Sequence, residues 1–188
     1  MRLEKEKYGD PESMKLLVFS NNAYLHIACK AIFPHSTLSQ HLAILDPSSY
    51  PSLRAIRTAI VESEITQDYR ILILSGNDLC SRLLSELSTL SLKESINNIK
   101  QLTAVIYQPE SLLRYIAQHL SLTKLTREEL HLTYAIRREK TIKRAASKLN
   151  INEKKLYHHA GTAASRLHLR SGKEFIYFLH KEFIYSTS

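Results

Sequence analysis

The sequence is poor in the residues on which many enzymes and secreted proteins depend. Its 188 residues include two cysteines, four glycines and no tryptophan. Cys29 and Cys80 lie far apart and fit no zinc-ligand spacing, so we expect two reduced, buried thiols in a cytoplasmic protein. Four glycines leave no glycine-rich phosphate loop. Disulfide-stabilised domains and nucleotide-binding enzymes are therefore disfavoured.

Long apolar runs are also absent. No segment holds the roughly 18 consecutive apolar residues that identify a transmembrane helix. The first seven residues are Met-Arg-Leu-Glu-Lys-Glu-Lys, too charged for a signal peptide. The sequence also lacks a Ser-His-Asp or Cys-His arrangement and a metal-ligand cluster. We expect a protein that is not an enzyme, without cofactor, metal site or membrane anchor.

Positive charge is concentrated in the last third of the chain. Residues 1–121 contain 12 Lys or Arg and 12 Asp or Glu, whereas residues 122–188 contain 14 and 6. The whole net charge of +8 therefore belongs to residues 122–188. A charged stretch can be merely a solvated face, but here it coincides with a helical pattern typical of DNA binding.

The residues from 125 onward show the start signals of three successive helices. Thr126 and Glu129 have the spacing of a capping box, in which each side chain satisfies a backbone N–H of the other. Thr141 begins a second helix that extends through Asn150, and Asn152 caps a third. The tight turn between the last two helices predicts a helix-turn-helix unit.

The third helix has one apolar and one polar face. Its apolar residues recur at helical spacing: Leu156, Ala160, Ala163 and Leu167. The opposite face carries cations and hydrogen-bond donors: Lys154, Tyr157, His158, Gly161, Thr162, Ser165 and Arg166. Such a face suits the major groove, where donors meet base edges and phosphates.

This run resembles the DNA-binding domain of LuxR/FixJ-type transcription regulators over roughly 60 residues, a domain-sized span. The positions that carry the resemblance are Leu125, Thr126, Glu129, Ala145, Ala146, Leu149, Ile151, His159, Arg166 and Leu167. Three features depart from the family's pattern: Glu139 replaces the usual Gly between the first two helices, Lys155 and Tyr157 replace the Thr and Lys of the recognition helix, and Gly161 lies in the middle of that helix. The resemblance implies a four-helix DNA-binding domain over residues 122–188, but the family's base preferences do not carry over.

The resemblance also implies site residues and partners. The residues expected to contact double-stranded DNA are Lys143, Arg144, Lys154, Lys155, Tyr157, His158, Thr162 and Arg166. In the family the fourth helix is the dimer contact, which implies that role for Tyr177 and Phe178. His159 matches the family's histidine and is expected at the inner edge of the helix.

Residues 1–121 show a different pattern, in which short apolar runs alternate with amphipathic stretches. Candidate strands are 15–19, 42–45, 69–74 and 103–107, and candidate helices are 23–33, 53–64, 79–90, 93–99 and 110–120. This alternation predicts an α/β domain with a parallel sheet covered on both faces. Ligands bind such sheets at the carboxyl ends of the strands.

The residues at these strand ends resemble those of the receiver domain of response regulators, but incompletely. Asp46 and Ser75 match the phosphoacceptor and the hydroxyl residue. Asn21 and Asn22 are neutral where a receiver needs a Mg²⁺-binding acidic pair, and Gln108 stands in place of a lysine. One strand–helix pair of a full receiver is missing before Asp46, or the first strand is misaligned.

Two roles for Asp46 follow, phosphoacceptor or capping residue for the turn at Pro47, and we favour capping. We therefore expect a bacterial, cytoplasmic transcription regulator with a pseudo-receiver domain, independent of phosphorylation. It would act as a homodimer or as a heterodimer with another response regulator. The alternative is a protein-interaction module that modulates another regulator without binding DNA.

Overall fold

The computed structural model describes residues 15–33, 41–87, 89–91, 106–139 and 141–183. Strands alternate with helices in the first part of the chain, and four helices follow one another in the second. The strands are β1 Leu16–Phe19, β2 Leu42–Leu45, β3 Arg70–Ile73 and β4 Ile106–Tyr107. The helices are α1 Ala23–Ile32, α2 Leu53–Val61, α3 Leu79–Leu83, α4 Pro109–Leu120, α5 Arg127–Glu139, α6 Ile142–Leu149, α7 Glu153–Arg166 and α8 Gly172–Phe183.

The strands form one sheet in the order β1-β2-β3-β4, with helices on both faces. Successive side chains of a strand point to opposite faces. Ala43 and Ile71 accordingly pack in the cluster that contains α2, α3 and α4, whereas Ile44 and Leu72 pack in the cluster that contains Cys29 of α1. The predicted α/β architecture is confirmed.

The expectation of an all-parallel sheet is wrong at its last strand. β1, β2 and β3 are parallel, but β4 runs antiparallel to β3, with Ile71 opposite Tyr107. Two residues are too few for hydrophobic periodicity to indicate strand direction, which depends on the path of the connecting chain. The rest of the predicted strand, residues 103–105, lies outside the described residues, as does the predicted helix 93–99.

The helix predicted for residues 79–90 is shorter than expected. It ends at Leu83, and Leu90 instead joins the sheet edge through a parallel bridge to Leu74. The Leu90 N–H donates to the Ile73 carbonyl at 2.8 Å. Leu83, Leu87 and Leu90 recur at helical spacing, but this periodicity does not show where a helix ends, and element boundaries are the least reliable part of a sequence-based prediction. The helix predicted for residues 53–64 likewise ends at Val61.

The sheet part and the four C-terminal helices share one apolar core, which runs from the α2 face of the sheet into the centre of α5–α8. Polar contacts also cross between the parts. Arg82 forms an ion pair with Glu174 of α8, and His168 bonds Glu86 at 2.7 Å. The two parts are therefore packed against each other and are not joined by a free tether.

Two further sequence expectations have structural counterparts. Cys29 and Cys80 are free and buried, as expected. Burial, with smaller contributions from Asp78 and Glu182, raises the pKa of the Cys80 thiol to about 12. Within the described ranges, none of the helices combines the length and the apolar character that crossing a membrane requires.

Candidate nucleic-acid interface

Side chains that the sequence identifies as caps fix the starts of α5, α6 and α7. The Thr126 N–H donates to Glu129 Oε2 at 2.7 Å, and the Glu129 N–H donates to Thr126 Oγ1 at 3.3 Å. The Thr141 hydroxyl oxygen accepts from the Arg144 N–H at 3.2 Å, and Asn152 Oδ1 accepts from the Lys154 N–H at 2.7 Å. The predicted capping box and both predicted N-caps are confirmed.

A tight turn orients α7 across α6. Asn150 ends α6 in the left-handed conformation, with φ 53° and ψ 44°, which asparagine tolerates better than most residues. The following Ile151 N–H donates to the Ala146 carbonyl at 3.0 Å. Ala145 on α6 and Ala160 on α7 are both buried in the shared apolar core.

The opposite side of α7 is exposed to solvent. We define the cationic face as the exposed, predicted DNA-contacting residues of α6 and α7 other than the ion-paired Arg166: Lys143, Arg144, Lys154, Lys155, Tyr157, His158 and Thr162. The Tyr157 side chain has 46% of its surface exposed. Glu153 is the one acidic residue of α7 and lies at its N-terminus, where it complements the helix dipole. The cationic face therefore presents positive charges and hydrogen-bond donors to solvent on one surface.

Arg166 differs from the other predicted contacts because it already has a partner. Its Nε donates to Glu129 Oε1 at 3.0 Å, and the Glu129 side chain is only 6% exposed. Burial opposes ionisation of Glu129, but bonds from Thr126 and Arg166 lower the pKa of this carboxyl below its usual value. We did not anticipate this ion pair, although the capping box leaves one Glu129 oxygen available for it.

The two adjacent histidines of α7 have different surroundings. His158 is exposed, whereas His159 is half-buried, with its Nε2 4.0 Å from Glu128 Oε1. The position of His159 at the inner edge of the helix agrees with the expectation from the resemblance. In the described part of the chain, no three His, Cys, Asp or Glu side chains are grouped so that they could hold a metal ion.

The two residues expected at a dimer contact also differ. Phe178 is fully buried, with its ring centroid 6.4 Å from that of Phe175 and 6.1 Å from that of Phe183. Adjacent positions on a helix point about 100° apart, so Tyr177 faces outward and is 50% exposed. Phe178 is therefore a core residue, and Tyr177 alone remains available to a partner.

The strand-end site has a network of hydroxyl groups around Asp46. Its carboxylate accepts from the hydroxyls of Ser20, Ser48 and Ser49 at 2.7, 2.5 and 2.8 Å, and from the Ser48 N–H at 3.1 Å. Burial works against ionisation, but these bonds together hold the pKa of Asp46 below its usual value. The predicted capping of the turn at Pro47 is confirmed.

Of the other expected strand-end residues, Asn21 and Asn22 make local structural hydrogen bonds. Asn21 donates its side-chain Nδ2–H to the Ser49 carbonyl at 3.0 Å, and Asn22 caps α1. Gln108 precedes α4 without a side-chain capping bond, and Ser75 is exposed. The described residues between Asn22 and Asp46 hold α1 and β2.

The fold of the described residues, an α/β part followed by a helical part, is similar to that of a solved response regulator. The solved structure that shows this is the complex of the two-component response regulator RcsB with DNA. The TM-score is 0.56 over 90% of this chain and 99% of that chain, at 13% sequence identity. No protein-family model and no curated protein matches the sequence.

Proposed function

We propose that the protein is a sequence-specific DNA-binding transcription regulator of the LuxR type. In this proposal residues 122–188 form the DNA-binding domain, α6 and α7 are its helix-turn-helix, and α7 enters the major groove. The observation that carries the proposal is the exposed cationic face, on a helix held from behind by a packed core. The major groove is wide enough for one helix, and lysine and exposed donors are the groups that contact phosphates and base edges. The similar RcsB structure, which is a complex with DNA, also supports the proposal of DNA binding.

We propose further that residues 1–121 are a pseudo-receiver domain and that regulation does not require phosphorylation. Three serine hydroxyls and a backbone N–H occupy the Asp46 carboxylate. The neighbouring strand-end side chains of Asn21 and Asn22 are neutral, so they offer Mg²⁺ none of the anionic oxygens it prefers. Phosphoryl transfer depends on the metal and cations that stabilise it. Since α7 is exposed in this arrangement, DNA binding needs no release step.

We propose that the protein binds DNA as a homodimer, or as a heterodimer with another response regulator, on two half-sites. Tyr177 is the residue of α8 that supports this proposal, because it is a half-exposed aromatic side chain beside Lys181. Exposed aromatic residues are enriched at protein interfaces. Half-sites about one helical turn apart would match a two-fold symmetric dimer.

An electrophoretic mobility shift with the protein's own upstream DNA tests the proposal. We expect a sequence-dependent shift that weakens in Lys154→Ala/Lys155→Ala and at higher salt, since each neutralised phosphate releases counterions. Lys30→Ala/Lys173→Ala is the matched control, because it removes the same charge from exposed positions outside the cationic face. Equal weakening in both double variants, or no shift at any salt from folded protein, contradicts the proposal.

The alternative function, an interaction module that modulates another regulator, is favoured by a surface on α1. Tyr24 and Ile27 are 84% and 66% exposed, and Ala28 and Ala31 continue the same stripe at helical spacing. Contiguous exposed apolar residues of this kind mark protein-interaction sites. A regulator that co-purifies with the wild type but not with Tyr24→Ser/Ile27→Ser, in the absence of any DNA shift, would support this function.

A further inference from the structure

A groove of about 710 Å³ lies where the sheet part meets the last helix. It runs between α2 and α8, and its lining residue Tyr50 directly follows the turn that Asp46 caps. Its lining includes the aromatic side chains of Tyr50 and Tyr177 and the ionisable side chains of Arg54, Glu62, His180, Lys181 and Glu182. This volume is in the range of small-molecule sites, which are frequent at junctions between structural units.

One end of the groove is cationic. Arg54 lies in the first turn of α2, where its backbone N–H donates to Glu182 Oε2 at 3.1 Å, and Lys181 is the next residue to Glu182. These bonds place both cations at the α2–α8 junction. The charge of Arg54 acts on the neighbouring Glu182 carboxylate and favours its ionised form, but within the described ranges the guanidinium donates no hydrogen bond. The Lys181 ammonium lies 5.4 Å from the centroid of the Tyr177 ring.

Glu182, the acid at this junction, is already bonded by the backbone. It is 1% exposed, and its two oxygens accept the backbone N–H groups of Leu53 and Arg54. Burial raises the pKa of Glu182 and opposes its ionised form, while the charge of Arg54 partly offsets that effect. Arg54 and Lys181 together therefore carry more positive charge than Glu182 can balance, and the exposed side chains of both can reach an external anion.

The middle of the groove is apolar and flat-sided. Tyr50 and the half-exposed Tyr177 provide aromatic surfaces, and Ala55 and Ala59 leave open space along α2 because their side chains are small. Aromatic faces of this kind favour a planar ligand, which can stack on a ring at centroid distances of about 4.5–7 Å.

The other end of the groove carries a negative charge, from Glu62. Glu62 is eight residues after Arg54 on the same side of α2, which corresponds to roughly 12 Å along a helix axis. An anionic ligand therefore has one favourable orientation, with its negative group at Arg54 and Lys181.

We propose that this groove binds a small aromatic carboxylate, with the carboxylate between Arg54 and Lys181 and the ring against Tyr50 and Tyr177. Such a ligand contacts both the sheet part and the last helix, so its binding stabilises the packing of the two. The site lies outside the cationic face, and the proposal does not rest on DNA binding.

Titration of the full-length protein by isothermal calorimetry tests the proposal, with benzoate and indole-3-acetate as probes. We expect saturable binding of at least one of them, weakened about tenfold or more in Arg54→Gln through loss of the charge-assisted bonds. Arg57→Gln is the matched control, since Arg57 is an exposed arginine of α2 outside the groove lining. Its affinity should equal that of the wild type.

Two further probes separate the contribution of the aromatic ring to binding from that of the negative charge. Benzamide keeps the ring without the charge, and propionate keeps the charge without the ring, so both should bind at least about tenfold more weakly than benzoate. Bound benzoate should also raise the melting temperature of the wild type but not of Arg54→Gln. Absence of saturable binding by both aromatic acids, equal binding by propionate, or equal losses in Arg54→Gln and Arg57→Gln overturns the proposal.

Discussion

The carboxylate of Glu182, in the last helix, accepts the backbone N–H of Leu53 at 2.5 Å, across 129 residues of sequence. Its second oxygen accepts the Arg54 N–H at 3.1 Å. The first N–H groups of a helix have no partner within the helix, so Glu182 caps α2 from a different part of the chain. Burial raises the pKa of this carboxyl, and the two backbone bonds only partly offset that effect.

Replacing Glu182 by alanine should destabilise the whole protein. Glu182→Ala leaves the buried Leu53 N–H without an acceptor, and an unsatisfied buried polar group costs about 1–3 kcal/mol. We expect the free energy of unfolding in urea to fall by about that amount. The control Glu64→Ala removes an exposed carboxylate after α2 and should change the free energy of unfolding by less than about 0.5 kcal/mol. Similar losses in the two variants would show that Glu182 does not anchor the last helix.

A second cross-part contact predicts sensitivity to acid. The pKa of Glu86 is lowered from 4.5 to about 2, first by the hydrogen bond from Lys124, against a desolvation effect, and further by those from Tyr115 and His168. A carboxyl with a lower pKa in the folded state binds its proton more weakly than in the unfolded chain. Its stabilising contribution is therefore complete above pH 4.5 and disappears as pH falls toward about 2.

Urea unfolding of wild type and Glu86→Gln across this pH range measures the contribution. We expect the variant to be less stable near neutral pH, and the difference to shrink steadily below pH 4.5. Glu62→Gln, which makes the same substitution at an exposed carboxylate at the end of α2, is the matched control for the exchange of Glu for Gln. If the difference in unfolding free energy between wild type and Glu86→Gln stays constant with pH, the lowered pKa of Glu86 is contradicted.

Two glycines of the C-terminal helices should respond in opposite directions to the same substitution. A Cβ at Gly161 would meet nothing within 4 Å, so Gly161→Ala should stabilise α7 by up to about 1 kcal/mol. A Cβ at Gly172 would lie 3.1 Å from the Ala160 Cβ and 3.1 Å from the Gly161 backbone nitrogen. Gly172→Ala should therefore lower the melting temperature, since α7 and α8 must separate to accept it. Stabilisation by both substitutions would exclude this close helix contact.

The sequence allows prediction of features that depend on near neighbours in the chain. Thr126 and Glu129 are three residues apart, and Thr141 and Asn152 each cap the helix that they begin, so their roles follow from local spacing. The apolar face of α7 is likewise local, and its residues Leu156 and Ala160 are buried. These elements include most of the predicted DNA-contacting face.

Features that depend on distant residues were missed. The bond from Leu53 to Glu182, the bridge from Leu74 to Leu90 and the antiparallel direction of β4 all require knowledge of the folded path. Phe178 shows the same limit. The resemblance implied a dimer contact at both Tyr177 and Phe178, but Phe178 is fully buried, whereas Tyr177 is 50% exposed. Periodicity identifies an apolar face and does not say how much of it the rest of the chain covers.

The Arg166–Glu129 pair predicts that two cations of α7 contribute unequally to DNA binding. Lys154 is exposed, and the described residues offer its side chain no ion pair, whereas Glu129 neutralises much of the Arg166 charge. Counterion release scales with the number of phosphates that free cations neutralise. Lys154→Gln should therefore reduce the slope of log K against log salt by about 1, and Arg166→Gln by clearly less.

Binding isotherms at several salt concentrations measure both slopes. Arg166→Gln should also lower stability, because Glu129 loses a partner for its second oxygen while it remains buried, whereas Lys154→Gln should leave stability almost unchanged. The two variants thus differ in both quantities, and each acts as the control for the other. Equal changes in slope would mean that Arg166 leaves Glu129 to contact a phosphate, and the ion pair would then belong to the DNA-free protein only.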